Sequence, residues 1–240
     1  MGALLELQSV SKHYGSLKVT DDLSFSLAEG EALGVLGPNG AGKSTMFNLI
    51  TGDVRPDAGR ITYDGADIAG LAPSARCRKG IGRSYQVPHP FAGMTVFENL
   101  LVGAMFGADL SEDEAAERCV AVLTRTGLLK KANHLAGALT LLDRKRLELA
   151  RALATRPRLL LLDEIAGGLT DHEAQALVET IQAIRAEGVS IVWIEHVVHA
   201  LLAVVGRLIV INFGALLKEG EPQEVMASRE VQEVYMGIEA

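Results

Sequence analysis

A glycine-rich segment between an apolar strand and a helix constrains this chain more than any other feature. The segment, Gly37-Pro38-Asn39-Gly40-Ala41-Gly42-Lys43-Ser44, fits the pattern G-x-x-x-x-G-K-[ST]. The apolar run Ala32–Leu36 before it predicts a buried strand, and Ser44–Ile50 after it predicts a helix that stops at Gly52. Glycines let backbone N–H groups converge on a phosphate, and the helix N-terminus adds partial positive charge. The segment therefore predicts a phosphate-binding loop.

Two side chains of this loop add further chemistry. Lys43 is placed to reach the β- and γ-phosphates of a nucleotide, and the Ser44 hydroxyl is a ligand for Mg²⁺. Backbone N–H groups from Asn39 to Thr45 can stabilise charge on the phosphates. The candidate phosphate-binding residues are Gly37, Asn39, Gly40, Ala41, Gly42, Lys43, Ser44 and Thr45.

The composition limits the class of protein. With 240 residues, 48% of them hydrophobic, the chain can bury a full core in one domain or in two tightly joined lobes. The net charge is −7 and no basic stripe is present, so we expect no nucleic-acid partner. Cys77 and Cys119 show no metal spacing and are expected to be cytosolic thiols. No charged-then-apolar leader opens the sequence, which argues against a secretion signal.

The most apolar stretch, Ala200 to Leu217, invites comparison with a membrane span. Arg207 lies in its middle, and Gly206 and Gly214 interrupt it. These breaks favour a short helix followed by two strands. We therefore expect a chain that is soluble on its own.

The remaining patterns predict an α/β core with a helical insertion. The region from Pro88 to about Leu153 is mostly helical in pattern, and strand patterns lie before and after it. The runs Leu159–Leu162 and Ile191–Ile194, separated by a helix, predict a parallel βαβ unit. The earlier strands are expected at Leu4–Gln8, Val19–Leu27, Ile61–Tyr63 and Ile81–Gln86. Capping boxes that predict helix starts pair Thr95 with Glu98, Ser111 with Glu114, and Thr170 with Glu173.

The strand Leu159–Leu162 ends in two carboxylates. Asp163, at the tip of a strand beside a phosphate loop, is placed to hold Mg²⁺. The adjacent Glu164 could accept a proton from the attacking water or orient it. His196 follows the next strand and could bond the γ-phosphate or the pair of Glu164 and water, although a structural role is the alternative.

These features together resemble the motif set of the ATP-binding cassette (ABC) ATPases. The resemblance covers essentially the whole chain and is closest to the ATPase subunits of branched-chain amino-acid type importers. The shared motifs are the glycine loop, Tyr14, Gln86, the segment from Arg144 to Ala152, Asp163-Glu164 and His196. The subgroup is indicated by the segments Gly80 to Gln86, Met94 to Leu100, Gly220 to Pro222 and Tyr235-Met236-Gly237.

The resemblance implies an α/β fold, a P-loop NTPase ABC cassette with a RecA-like α/β core, an antiparallel β subdomain and a helical subdomain. Residues 1–240 would form a single ABC ATPase domain. Within it, residues 1–87 and 154–240 would form the core with the β subdomain, and residues 88–153 the helical signature subdomain. The region from Phe91 to Phe106 would form the groove that receives a helix from a membrane subunit.

The resemblance also assigns roles toward ATP and Mg²⁺. Tyr14 would stack on the adenine ring. Gln86 would touch Mg²⁺ and the attacking water, so that the expected magnesium ligands are Ser44, Gln86 and Asp163. His196 would be the switch histidine. The expected catalytic residues are Glu164, His196 and Lys43.

In this family two cassettes face each other head to tail. Each ATP lies between one chain's phosphate loop and the other chain's signature, which is usually Leu-Ser-Gly-Gly-Gln. The aligned residues here run from Leu139 to Asp143, with Leu141 and Leu142 at the two small positions. Thr140 can still offer a hydroxyl to the partner's γ-phosphate. Two arrangements are open: the leucines hold the backbone away from the nucleotide, or they point away from it.

Asp143 puts a negative charge where the signature usually has glutamine. This is unfavourable near a nucleotide unless the side chain points away or pairs with Arg144 or Lys145. The chain's own loop and carboxylates match the family, whereas its contribution to a partner's ATP is altered. We therefore hypothesise an asymmetric heterodimer with one competent site and one slower site.

The resemblance implies the ATP-hydrolysing subunit of an importer for a small solute, with branched-chain or related amino acids as the default. Its partners would be a second ABC ATPase subunit, identical or paralogous, and transmembrane permease subunits. A periplasmic or extracellular solute-binding protein would act indirectly. The chain would lie peripherally on the cytoplasmic face of the inner membrane. Two alternatives stay open: the ATPase of a lipid-type exporter, and a nucleotide-gated regulatory module with little turnover.

Overall fold

The computed structural model describes residues 2–236, which contain two β-sheets and nine α-helices. Met1 and residues 237–240 lie outside this range, and Gly237 of the C-terminal motif lies outside with them. The strands are β1 (Leu5–Tyr14), β2 (Leu17–Leu27), β3 (Ala32–Leu36), β4 (Ala58–Tyr63), β5 (Ala66–Asp67), β6 (Ile81–Ser84), β7 (Leu159–Asp163), β8 (Ser190–Ile194), β9 (Arg207–Asn212) and β10 (Ala215–Gly220). The helices are α1 (Lys43–Thr51), α2 (Pro73–Arg78), α3 (Val96–Gly107), α4 (Glu112–Arg125), α5 (Leu141–Ala154), α6 (Asp171–Ala186), α7 (Val198–Leu202), α8 (Pro222–Ala227) and α9 (Arg229–Met236).

The central sheet places the ends of three neighbouring strands side by side. Its strand order is β10-β9-β3-β8-β7-β6, and the strands from β9 to β6 run parallel. Because β3, β8 and β7 are adjacent and parallel, the residues after their carboxyl ends meet at one edge of the sheet. The phosphate loop follows β3, Asp163 ends β7, and His196 follows β8. The predicted βαβ unit is confirmed as β7, α6 and β8.

The central strands are buried on both faces, and their side chains divide between two cores. In β7, Leu160 and Leu162 pack into the core formed with helices α3 to α6. Leu159 and Leu161 pack into the core formed with β1, β2 and α1. This division follows from the two-residue period of a strand, and it explains why β7 is an unbroken run of leucines.

The second sheet is antiparallel, with the order β2-β1-β4-β5, and covers one of these cores. Strand β1 continues to Tyr14, beyond the predicted end at Gln8. The alternation of buried and exposed side chains breaks after Gln8, but the strand continues through a shift of register between Leu7 and Val10, where Ser9 has a φ of 49°.

Strand β6 is shorter than predicted and ends at Ser84, not at Gln86. Ser84 makes the last pairing of this edge strand, with Leu162 of β7. Gln86 leaves the sheet and its side chain bonds Glu164. The early end of the strand therefore brings Gln86 to the carboxyl edge of the sheet.

Helices α3, α4 and α6 begin at the predicted capping boxes. In each box the cap hydroxyl accepts the N–H of the glutamate three residues on, and that glutamate accepts the N–H of the cap residue. Helices α3, α4 and α5 lie within the predicted helical range 88–153, except for Ala154 at the end of α5. The division of the chain into subdomains stays a prediction.

The apolar stretch from Ala200 to Leu217 holds part of α7 followed by strands β9 and β10, as predicted. Within residues 2–236, no helix has the length and apolar character that crossing a bilayer requires. The sequence patterns do not predict the short helices α2, α8 and α9, because six to eight residues show too little helical periodicity.

Candidate functional site

A cavity of about 290 Å³ lies beside the phosphate loop. The loop forms most of its lining, and single residues from β2 and from the segments after β6 and β7 complete it. The lining residues are Val19, Asn39, Gly40, Ala41, Gly42, Lys43, Ser44, Thr45, Gln86 and Glu164. The fold therefore brings the predicted residues from Asn39 to Thr45 together with Gln86 and Glu164 around one space.

The loop follows its path because glycine stands at two close approaches. A Cβ atom at Gly42, where φ is 100°, would lie 2.4 Å from the carbonyl oxygen of Val19. A Cβ atom at Gly37, where φ is 155°, would lie 2.2 Å from the carbonyl oxygen of Ile211. Gly42 also precedes α1 without a side-chain cap, which leaves the first N–H groups of the helix open to an anion.

Lys43 is buried against its own loop. Its side chain is 6% exposed, and Nζ donates to the carbonyl oxygens of Gly37 at 2.7 Å and Pro38 at 3.0 Å. The pKa of Lys43 is lowered, chiefly by burial, although the carboxylates of Glu164 and Asp163 act in the opposite direction. A phosphate in the cavity would add further negative charge close to this buried ammonium group and stabilise its charged form.

Glu164 is held between the two residues that the family motifs place around it. Nε2 of Gln86 donates to Oε2 of Glu164, and Nε2 of His196 lies 2.7 Å from Oε1. His196 itself is about two-fifths exposed, whereas the Glu164 side chain is mostly buried. The carboxylate therefore lines the cavity with each oxygen held by one neighbour, and the remaining lone pairs can accept a proton from a positioned water.

Asp163 lies behind the cavity and pairs with a buried arginine. Its Oδ2 accepts a hydrogen bond of 2.8 Å from Arg83, whose guanidinium also donates to Oδ1 of Asn48 at 2.6 Å. Burial raises the pKa of Asp163, and the bond from Arg83 opposes this. Oδ1 of Asp163 is buried and has no hydrogen-bond partner among residues 2–236.

Tyr14 does not line the cavity. It ends β1, pairs with Leu17 across the hairpin, and is 49% exposed. Lys12 Nζ lies 5.7 Å from the centre of its ring. Because Val19, further along β2, does line the cavity, Tyr14 lies on the hairpin that borders the site.

The signature segment does not line the nucleotide cavity of its own chain, although Leu141 lines a neighbouring space together with Gln86 and Glu164. Thr140 caps α5: its hydroxyl accepts the N–H of Asp143 at 3.3 Å and donates to Oδ2 of Asp143 at 2.8 Å. Asp143 is almost fully buried and forms an ion pair with Lys131, whose contact lowers the pKa of the carboxyl against the opposing effect of burial.

Of the arrangements considered for Asp143, the pairing with Arg144 or Lys145 does not occur, and the carboxylate pairs with Lys131 instead. A short 3-10 turn at residues 129–131 brings Lys131 to the start of α5. Arg144 instead donates to the carbonyl oxygens of Leu139 and Gly137. The charge that replaces the signature glutamine is therefore neutralised within the helical region.

Sequence reasoning missed the roles of two basic residues behind the carboxylates, Arg83 and Lys145. Lys145 of α5 is 4% exposed and donates to the backbone carbonyl of Glu164 at 3.2 Å. Burial lowers the pKa of Lys145, against the opposing charge of the buried Glu195. The sequence did contain one signal for Lys145. It lies four residues before the buried Leu149, so the helical period places both side chains on the same buried face of α5.

A second cavity, of about 340 Å³, lies among α2, α3, α5 and β6. Phe91, Asn99, Val102 and Gly103 from the predicted groove region line it. Arg151 lies over the ring of Phe91 at 5.1 Å. This cavity is a depression that both apolar and charged side chains line, and Arg83 is one of the charged residues.

Comparisons with known proteins agree with this geometry. The sequence profile described as ABC transporter matches residues 20–167. The chain is 36% identical to the high-affinity branched-chain amino acid transport ATP-binding protein BraF of Pseudomonas aeruginosa, over 98% of each chain. It is 34% identical to the lipopolysaccharide export system ATP-binding protein LptB of Haemophilus influenzae, also over 98% of each.

A solved structure is also similar to this chain along nearly its full length. The crystal structure of a nucleotide-free ATP-binding cassette from an ABC transporter superposes with a TM-score of 0.91 and 30% identity, covering 99% of this chain and 100% of the other. Since the profile spans more than half of the chain and the relatives align along nearly all of it, this protein belongs to the ABC transporter family as an ATP-binding subunit, and it is an ATPase.

Proposed function

We propose that this ATPase subunit powers the import of a small solute, a branched-chain or related amino acid, through partner membrane subunits. The observation that carries the proposal is the similarity to BraF along nearly the full length of both chains. The segment from Gly80 to Gln86, which suggests the importer subgroup, supplies Arg83 and Gln86 to the site.

ATP binds with its phosphates against the loop. N–H groups from Asn39 to Thr45 donate to phosphate oxygens, and Lys43 turns from its carbonyl contacts to the β- and γ-phosphates. Tyr14 stacks on the adenine ring. Its exposed ring, on the hairpin that also brings Val19 to the cavity, supports that role.

The residues around Asp163 fit a magnesium ion. Oδ1 of Asp163 is a buried oxygen without a partner in the described part of the chain, and Mg²⁺ prefers oxygen ligands. Ser44, Gln86 and Asp163 would hold the ion together with phosphate oxygens. When bound, Mg²⁺ neutralises charge that develops on the transferring phosphoryl group.

Hydrolysis is an in-line attack of water on the γ-phosphorus. The new bond from the water oxygen to phosphorus forms as the bond to the β,γ-bridging oxygen breaks, which yields ADP and phosphate. Glu164 orients the water and accepts its proton, and Gln86 and His196 position its carboxylate. Lys43 and the loop N–H groups stabilise the developing charge.

The chain acts as one half of a cassette dimer on the cytoplasmic face of the inner membrane. Each signature completes the partner's ATP site, so Thr140 and Asp143 act in trans. The depression that Phe91 lines receives a helix of a membrane permease subunit, and a solute-binding protein delivers the solute from the other side. Within the chain, the ion pair of Asp143 with Lys131 offsets the charge that would otherwise face a partner's nucleotide.

The second candidate is a lipid-type exporter, which the similarity to LptB favours. The two candidates share the ATP site and differ in the membrane partner. Membership of the ABC transporter family and the pairing of Glu164 with His196 favour transport with turnover over a regulatory module.

The direction of transport can be tested in a strain that produces this chain. Glu164→Gln introduced at the native locus leaves the complex assembled but stops its turnover. Uptake of labelled leucine, isoleucine and valine is measured together with the lipid composition of the cell envelope. Glu117→Gln, an exposed residue on α4, is the matched control.

Loss of amino-acid uptake with an unchanged envelope supports the importer. Unchanged uptake with an altered envelope lipid composition supports the exporter. A strain in which neither property changes contradicts both candidates. If the Glu117→Gln strain behaves like the wild type, any effect of Glu164→Gln can be attributed to the nucleotide site.

A further inference from the structure

The C-terminal helix reaches the first residue of the phosphate loop. Tyr235, near the end of α9, accepts a hydrogen bond of 2.5 Å at its hydroxyl from the backbone N–H of Gly37. Gly37 is buried, so this N–H has little access to water. The contact joins residues 198 positions apart in the chain at the edge of the nucleotide site.

The other side of the same residue holds the loop lysine. The carbonyl oxygen of Gly37 accepts the hydrogen bond of 2.7 Å from Nζ of Lys43. Both polar groups of Gly37 are therefore bonded, one to the C-terminal helix and one to Lys43. A movement of Tyr235 would therefore shift Gly37, and Gly37 holds the Lys43 side chain in its position.

The strands before α9 brace the loop at a second point. The N–H of Gly214, in the turn between β9 and β10, donates to the carbonyl oxygen of Ala41 at 3.0 Å. The carbonyl of Ile211 packs directly against Cα of Gly37, where it leaves no room for a side chain. The C-terminal segment thus contacts the loop at Gly37 and at Ala41.

Helix α9 has anchors of its own. Val231 is 1% exposed and belongs to the core shared with helices α3 to α6. Arg229 pairs with Glu233 at 2.5 Å along the helix. The burial of Val231 anchors α9 to the rest of the chain, so the Tyr235 hydroxyl can be removed while the helix stays in place.

We propose that Tyr235 is a positioning residue that keeps the phosphate loop in its nucleotide-binding conformation before ATP arrives. A loop that is already ordered binds more tightly, because the entropy of ordering it is not lost on binding. Within residues 2–236 the Tyr235 hydroxyl is the one acceptor of the Gly37 N–H, and a buried N–H that loses its acceptor favours local rearrangement. The C-terminal helix is in this way part of the nucleotide site.

The test removes only the hydroxyl oxygen, with Tyr235→Phe. We expect affinity for ADP and for a non-hydrolysable ATP analogue to fall by about three- to tenfold, as for loss of one ordering hydrogen bond. In the nucleotide-free chain, amide hydrogen exchange in residues 37–43 should become faster. Calorimetric titration and exchange mass spectrometry measure these quantities in the full chain.

Tyr63→Phe is the matched control. Tyr63 lies in the core formed with β1, β2 and α1, its hydroxyl is 3.4 Å from the carbonyl oxygen of Gly80, and it does not line the nucleotide cavity. A chain ended after Glu233 removes Tyr235 while it keeps Val231 and the pair of Arg229 with Glu233, and it should reproduce the Tyr235→Phe result.

Wild-type affinity and wild-type exchange in Tyr235→Phe would overturn the proposal. Equal losses of affinity in Tyr235→Phe and Tyr63→Phe would overturn it too, because the effect would then follow from any lost tyrosine hydroxyl. A loss confined to Tyr235→Phe and to the shortened chain supports it.

Discussion

Glu164 has a backbone conformation that few residues with a side chain adopt. Its φ is 47°, in the left-handed region, which costs an ordinary residue about 1 kcal/mol. Its N–H donates to Ile194 at 2.8 Å, and its carbonyl oxygen accepts from Lys145. These two bonds hold the strained residue where its carboxylate meets Gln86 and His196.

Glu164→Gln is predicted to separate ATP binding from hydrolysis. The amide keeps the shape of the side chain but cannot accept the proton of the attacking water. Turnover, measured as phosphate release, should fall at least about a hundredfold, while nucleotide affinity stays close to that of the wild type. If the variant hydrolyses ATP at the wild-type rate, Glu164 has no part in the mechanism. Glu117→Gln is the control, because it removes a carboxylate that is remote from the site.

Lys145→Met is predicted to lower stability without weakening ATP binding. The change removes the shorter of the two hydrogen bonds to the Glu164 carbonyl, so that only the 3.4 Å bond from the Gly167 N–H is left, and it removes a positive charge that favours the buried Glu195 carboxylate. The free energy of unfolding, measured in urea, should fall by about 1–3 kcal/mol. Lys145 does not line the cavity, so nucleotide affinity should not change.

Lys145→Arg separates charge from shape at the same position. It keeps a donor and a positive charge, so it should retain most of the stability that Lys145→Met loses. Equal stability of Lys145→Met and the wild type would show that the contact between α5 and the end of β7 contributes nothing.

At the level of the elements, one carboxylate ties the turn between β2 and β3 to strand β9. Glu31 accepts hydrogen bonds from the Ala28 N–H at 2.7 Å and from Arg207 of β9 at 2.6 Å. Burial raises the pKa of Glu31, but these bonds outweigh it, so the pKa is lowered from its ordinary value of 4.5. The turn thereby fixes the start of β3, the strand that leads into the phosphate loop.

Glu31→Gln is predicted to lower the free energy of unfolding by about 1–2 kcal/mol at pH 7. Because the pKa is lower in the folded state, the carboxylate stabilises the fold fully above pH 4.5, and this contribution is lost as the pH falls through the folded-state pKa. Urea unfolding from pH 8 downward should therefore show a constant gap between variant and wild type that narrows only below pH 4.5. A gap that grows at low pH would contradict this assignment.

At the scale of the whole molecule, a prediction concerns the two leucines of the signature segment. Leu141 is 48% exposed and Leu142 is half-buried, both in the first turn of α5. If these side chains hold the backbone away from a partner's nucleotide, Leu141→Gly with Leu142→Gly should raise turnover of the assembled complex by about threefold or more. Phosphate release from the purified complex measures this.

Glycine in the first turn of α5 also weakens the helix, by about 1 kcal/mol per residue. The pair Leu141→Ala with Leu142→Ala shortens the side chains without that cost and serves as the control. Unchanged ATPase rate and affinity in the glycine variant would mean that the altered signature is functionally neutral, and the hypothesis of an asymmetric dimer would fail.

The local patterns of the sequence determined most of the nucleotide cavity and the order of the main elements. The loop from Asn39 to Thr45 and Glu164 could be predicted because phosphate binding needs a glycine turn between a strand and a helix, which neighbouring residues encode. Capping boxes such as Thr95 with Glu98 could be predicted because both partners lie within one helical turn.

Only the tertiary structure decided which distant groups support that site. Arg83 meets Asp163 across 80 residues, Tyr235 meets Gly37 across 198, and Lys131 reaches Asp143. No local pattern encodes these contacts, because each depends on how strands order in a sheet and how helices pack on it. The residues that bind the phosphates thus follow from short-range backbone geometry, whereas the residues that hold them in place follow from the packing of the whole chain.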